Sequence, residues 1–327
     1  MKVRFAERSE LRMRANPSLS SRLAAASLTA LLVAGCSSLQ SVAVNKLGDA
    51  LSREGDVFSS DDDPQLVGAA LPFSLKLMES LLAESPRHRG LLLATLRGFT
   101  QYAYGWVDQP AAEIESAEPQ SAARGHERAR RLYLRARGYG LRAFEVERPG
   151  FEAKLRAAPR QAVRAIGVSD VPLLYWTASA WGLAISLSKD QPELIADLPI
   201  VEAMIDRSLE LDETFADGAI HVFLISYEPN RAGGEGDPLV RARHHFDRAV
   251  ELSHGTLASP FVTFAESVSV QTQKRDEFDS LLHRALAIDP GARPASRLEN
   301  QIAQHHAQWL LAHADDLFLA PAEGEKK

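Results

Sequence analysis

Apolar side chains recur at steps of three and four along most of this 327-residue chain, the spacing that lines one face of an α-helix. Period-two alternation, which strands require, is almost absent. The pattern predicts an all-α fold in which, from Leu66 onward, helix follows helix across short Pro, Gly or Asp signals. Leu39, Val42, Ala43, Lys46, Leu47, Ala50 and Leu51 mark a first helix, which Gly55 ends. In "SSDDDPQLV", Asp63 stands where a cap belongs and Pro64 at the first helical position, so another helix starts there.

Three of the predicted helices repeat a phrase: "IDRSLELDE" from Ile205, "FDRAVELSH" from Phe246 and "LHRALAIDP" from Leu282. Their offsets are 41 and 36 residues, and "YLRARGY" places Arg135-Ala136 a further 72 residues before Arg207-Ser208. A period near 34 marks tetratricopeptide helix pairs, which stack into a concave solenoid. Small residues at Ala136, Ser208, Ala249 and Ala285 let each second helix press against its neighbour. The repeats are degenerate, and one helix does not suit an open solenoid. "VPLLYWTASAWGLAISLS" has no charge between Asp170 and Lys189; with Pro172, Gly182 and several hydroxyls it reads as a helix surrounded by others rather than as a membrane span.

The other uncharged run, Leu23 to Ala34, is too short to span a bilayer. Lys2, Arg4, Arg8, Arg12, Arg14 and Arg22 precede it, and Val33-Ala34-Gly35-Cys36 follows. Basic head, apolar middle and small residues make a secretory leader over residues 1–35. Cys36 is the sole cysteine. The leader has net charge +4 and the whole chain −6, so the exported part carries −10, a balance that disfavours nucleic acid and anionic lipid as partners.

No reaction centre is legible: the chain lacks G-x-S-x-G, H-E-x-x-H, a Walker loop and G-x-G-x-x-G, and no cofactor is expected. "NRAGGEGDP" lacks the Gly-Lys-Ser/Thr step of a phosphate cradle and reads as a connection between helices. Asp61, Asp62 and Asp63 lack the loop of a calcium site, and the histidines, His244-His245, His305 and His313 among them, form no zinc pattern; no metal site is expected. The aromatics carry more. "GFTQYAYGWV" sets Phe99, Tyr102 and Trp106 on one helical face, with Tyr104 directed elsewhere. "LYWTASAWG" adds Tyr175, Trp176 and Trp181, the two tryptophans about 140° apart around the helix. These six fill a core or line a cavity for an apolar or amphipathic molecule.

Beyond composition, "NKLGDALS", "SSDDDPQLV", "LPFSLKLMESLLAESPRHRGLL", "GFTQYAYGWV", "LYLRARGYGLRAF", "LYWTASAWGLAISLS", "GAIHVFLISYE" and "LLHRALAIDP" resemble, in unbroken order from Cys36 to about Phe318, the T component of tripartite ATP-independent periplasmic (TRAP) transporters, the TatT family. The Cys36 segment itself resembles a bacterial lipobox, which implies lipid on the sulfur and cleavage before it. The family resemblance implies a tetratricopeptide-like periplasmic lipoprotein, a trimer that docks a TRAP substrate-binding protein, with a partly hydrophobic pore through the protomer. "NRAGGEGDPLVRARHHF" departs from the family pattern.

The organisation expected is therefore a leader over 1–35, lipid site and first helix over 36–60, a helical-repeat domain over 61–320 and a disordered tail over 321–327. The expected function is that of a non-enzymatic, membrane-anchored TRAP accessory in the periplasm, handling an apolar or amphipathic organic acid. Ser37 and Ser38 after the cysteine point to the outer membrane. The alternative is an envelope scaffold lipoprotein that carries no ligand.

Overall fold

The structure, a computed structural model, describes residues 44–51 and 56–319. Cys36, Gly55, the leader and the tail over 321–327 lie outside the described residues. The described residues are helical throughout, with no strand among them. Residues 44–51 form a short helix. A compact unit runs from Gly48 to the C-terminus, and its principal helices are numbered here from Pro64.

Helix α1 (Pro64–Glu84) starts as its sequence requires: the Asp63 carboxylate accepts from the Gln65 and Leu66 amides, and Pro64 follows at a position with no amide to satisfy. His88 caps α2 (Arg89–Ala103) by accepting from Leu91 N at 3.2 Å. Helix α2 runs through a π-helical turn, Tyr104–Asp108, into α3 (Gln109–Glu113). There the Gln109 amide reaches back five residues to Tyr104 O, and Pro110 withholds the next donor. Helix α4 (Pro119–Glu147) packs on α2, and α5 (Phe151–Ala157) and α6 (Pro159–Val163) follow it. The uncharged stretch becomes α7 (Val171–Ser186), enclosed by α2, α4 and α8 (Leu198–Leu211), so the expectation of a helix surrounded by helices is met.

The second half winds through α9 (Ala219–Tyr227), α10 (Pro238–Leu252), α11 (Ser259–Phe264), a second π turn at Ala265–Ser269, α12 (Arg275–Leu286) and α13 (Arg297–Ala312). The glycine-rich stretch joins α9 to α10, with Gly233 and Gly236 at positive φ and Arg241 gripping the carbonyls of Glu235 and Gly236. Phe246, Phe261, Phe264 and Phe278 centre the core of this half. The small residues picked from the repeated phrases, Ala136, Ser208, Ala249 and Ala285, are all fully buried. The last long helix returns to the beginning: Arg297 donates to Ser60 O at 3.0 Å and Gln301 to Asp62 O at 3.1 Å. This unit is therefore closed by its own two ends.

Candidate functional site

The closing helix and both π turns meet around one phenol. Tyr104 keeps 46% of its surface accessible. Yet desolvation, first, and then the charges of Glu266, Asp108 and Glu299 push its pKa above the ordinary phenol range. The charges that reach this half-accessible phenol from outside its own π turn come from the second π turn and from α13, so Tyr104 stands where these elements meet. Close to Tyr104, Tyr175 of α7 leans on Phe215 at 5.3 Å and meets Trp176 edge-on at 5.1 Å. Burial and the nearby Glu299 raise the Tyr175 phenol to about 12, offset in part by the Ser179 hydroxyl one helical turn on. Glu299 of α13 is raised as well, by burial and Asp217, while a hydrogen bond from Ser259 at 2.7 Å holds its carboxyl. Ile302, one turn beyond, sits against Gly105, where an added Cβ would lie only 3.4 Å from Ile302 Cδ1. These phenols, carboxyls, rings and alkyl groups around a half-accessible Tyr104 form the candidate recess, with the chemistry that a molecule with an apolar body and a few polar groups would meet.

The aromatic residues chosen from sequence divide among several places. Tyr175 and Trp176 stand together at the recess. Trp181, two steps past Ser179, is on the opposite face of α7 and fully buried. There its indole donates to Asp197 at 3.2 Å and lies between the guanidiniums of Arg137 and Arg156, 4.7 and 5.5 Å from the ring. Phe99 is buried and stacks on Tyr139 at 5.9 Å. Tyr102 and Trp106 stack at 6.3 Å beside α1, where Trp106 donates to Pro64 O at 3.0 Å and fills the notch at Gly68. Tyr104, set aside because it turns away from Tyr102 and Trp106, is the aromatic that faces the recess. Its opposite phase on the helix was the signal.

A second feature, missed because its parts lie far apart in sequence, clamps the recess. His306 of α13 is buried between Glu113 of α3 at 3.5 Å and Glu266 of the second π turn at 3.3 Å. Burial alone would lower its pKa, but the two carboxylates outweigh that and lift it to about 9. Trp309 stacks on it, parallel at 5.9 Å. His306 thus holds a proton at neutral pH and ties α3, the second π turn and α13 together. A cavity of about 100 Å³ elsewhere, lined by Arg89, Gly90, Leu93, Ser169 and Leu173, is poorly suited to a ligand, because Arg89 and Arg148 are both committed to the buried Asp170 carboxylate.

The all-α fold by itself names no function, and the comparisons with known proteins supply the class. The chain is a member of the TRAP transporter T-component family, whose model matches residues 60–318. It is also 30% identical over 307 residues to an uncharacterised protein of Treponema pallidum (strain Nichols), a match spanning 88% of this chain and 95% of that one. Membership makes it an accessory component of a TRAP transporter in the cell envelope, in a family of transport components rather than of enzymes.

Proposed function

We infer that the protein is a periplasmic lipoprotein, anchored through Cys36 and sorted to the outer membrane, that assembles as a trimer, docks the TRAP substrate-binding protein and receives an apolar or amphipathic molecule in the recess at Tyr104. Tetratricopeptide-like pairing of its helices supplies the docking surface. Tyr104 carries the ligand part of this reading: nearly half accessible, it stands with Tyr175 and Glu299 where α7, α13 and both π turns meet. The carboxyls of Glu266 and Glu299 narrow the ligand's character. A free carboxylate would meet like charge there, so an organic acid enters protonated, or with its charge kept away from these two groups.

Mass spectrometry of the full chain purified from membranes tests it. A small apolar or amphipathic molecule should co-purify with the wild type and be lost from Tyr104→Trp, which fills the recess, at unchanged melting temperature. An identical complement of small molecules in both, or none in either, would leave a scaffold that assembles envelope proteins without a ligand.

A further inference from the structure

The charge of the chain is unevenly placed. Along α4, Arg124, Arg128, Arg131, Arg135 and Arg142 are all exposed, at steps of four, three, four and seven, which keeps them within one narrow stripe of the helix. Two carboxylates answer them: Glu79 is bound by Arg135, and Glu127 by Arg130 and Arg131. Among the described residues, Arg124, Arg128 and Arg142 bond only neutral oxygens, those of Ser121, Tyr102 and Pro86. The stripe borders α1. Arg142 reaches Pro86 just past the end of α1, Arg135 meets it at Glu79, and Arg128 lies by the Tyr102–Trp106 stack against Pro64.

Helix α1 is itself anomalous. It is long and apolar enough to cross a membrane, yet only 28% of its apolar window is buried. Leu66 and Phe73, seven residues apart on one face, are 59% and 74% exposed, and Lys76 beside them is exposed too. An apolar ridge flanked by a basic row, with Tyr and Trp at the border, is the composition of a surface that lies in a lipid headgroup region.

We propose that the face formed by α1 and the arginine row of α4 rests on an anionic phospholipid surface, with Leu66 and Phe73 entering the headgroup layer and Arg128 and Arg142 meeting lipid phosphates. Charge complementarity selects this occupant. Its position in the chain agrees: Cys36 stands 28 residues before Pro64, so a lipid there would keep this face near a bilayer. The surface attraction does not depend on that lipid, and it sets a local basic row against an overall charge balance that disfavours anionic lipid.

The test uses a chain beginning at Ser37, which keeps the whole compact unit from Gly48 and has no lipid, so any binding belongs to the face. It is floated with vesicles of phosphatidylglycerol and phosphatidylethanolamine, and separately of phosphatidylcholine alone. Binding to the anionic vesicles alone is expected, weakened roughly twenty-five-fold in Arg128→Gln/Arg142→Gln, about fivefold for each arginine near such a surface. Phe73→Ser should weaken it as well, with both variants melting as the wild type does. No flotation, or flotation indifferent to these substitutions, overturns the proposal. If Phe73→Ser instead dissociates an oligomer of a chain that ignores vesicles, the face joins copies of the protein. Fatty-acid labelling of full-length wild type and Cys36→Ser judges the lipid anchor separately.

Discussion

Helix α7 presents two aromatic environments a few residues apart. On one face Trp181 is sealed between Arg137, Arg156 and Asp197, tying α7 to α4, to α5 and to the start of α8. On the other, Tyr175 and Trp176 are half-buried beside Tyr104 and the recess. The same residue types hold the wall together on one side and leave surface for a ligand on the other. What separates them is the completeness of their partners. Trp181 has its N–H bonded, cations on its ring and no accessible surface, whereas Tyr175 and Trp176 keep part of theirs and Tyr104 nearly half.

The strongest test of this contrast is Trp181→Ala. It removes a fully packed ring and strands two guanidiniums and a carboxylate, so a loss of roughly 3–5 kcal/mol is expected in denaturant melts. A loss near zero would dissolve the distinction between wall and recess.

The next effect is on pH. His306 has a folded pKa of about 9 against an ordinary value near 6.5. The stability it contributes is therefore fully present below pH 6.5 and disappears as pH rises through 9, up to about 3 kcal/mol. Melting temperature across pH 6 to 10 should show this decline, and His306→Gln should flatten it. The pair His221 and His245, joined Nδ1 to Nδ1 at 2.8 Å, has the opposite sign. Burial lowers both, His245 to about 4, so their contribution is present above pH 6.5 and is lost on acidification. If both limbs of the stability profile survive His306→Gln, the clamp at the recess is not the source of the alkaline one.

The smallest effect belongs to Trp176→Ala, about 1 kcal/mol, because a side chain facing open space already lacks contacts on one side. Binding of a hydrophobic fluorescent probe should change in this variant while the fold persists. Equal and severe losses for Trp176 and Trp181, with probe binding unaltered, would make both residues part of the wall.

Much of this was legible in the sequence, because it rests on local rules. Apolar spacing gave the helices, Asp63-Pro64 the start of α1, and an uncharged stretch the enclosed α7. The small residues of the repeated phrases marked close packing. What stayed hidden depends on which helices meet. Glu113, Glu266 and His306 occupy three elements, and no spacing announces that they converge. Two π turns shift the phase of the helical face within a few residues, so a face projected at 100° per residue loses its register there. The exposure of α1 was missed for a related reason: apolar periodicity says that a face is greasy, not whether the protein itself covers it.

The return of α13 to Ser60 and Asp62 has a temporal consequence. These contacts join residues 237 and 239 positions apart, so the wall shuts only after nearly the entire chain is available. The main pairings, α2 with α4, α4 with α7 and α7 with α8, join segments much closer in sequence and can form earlier, while this long-range closure bears the largest loop entropy. A chain ending before Arg297 would own every earlier helix and still leave Tyr104 facing open water, since Glu299, Ile302 and His306 all arrive with the final segment. Glu299, Ile302 and His306 are therefore supplied only by completion of the polypeptide, together with Ala307 and Leu310 of the second half's core.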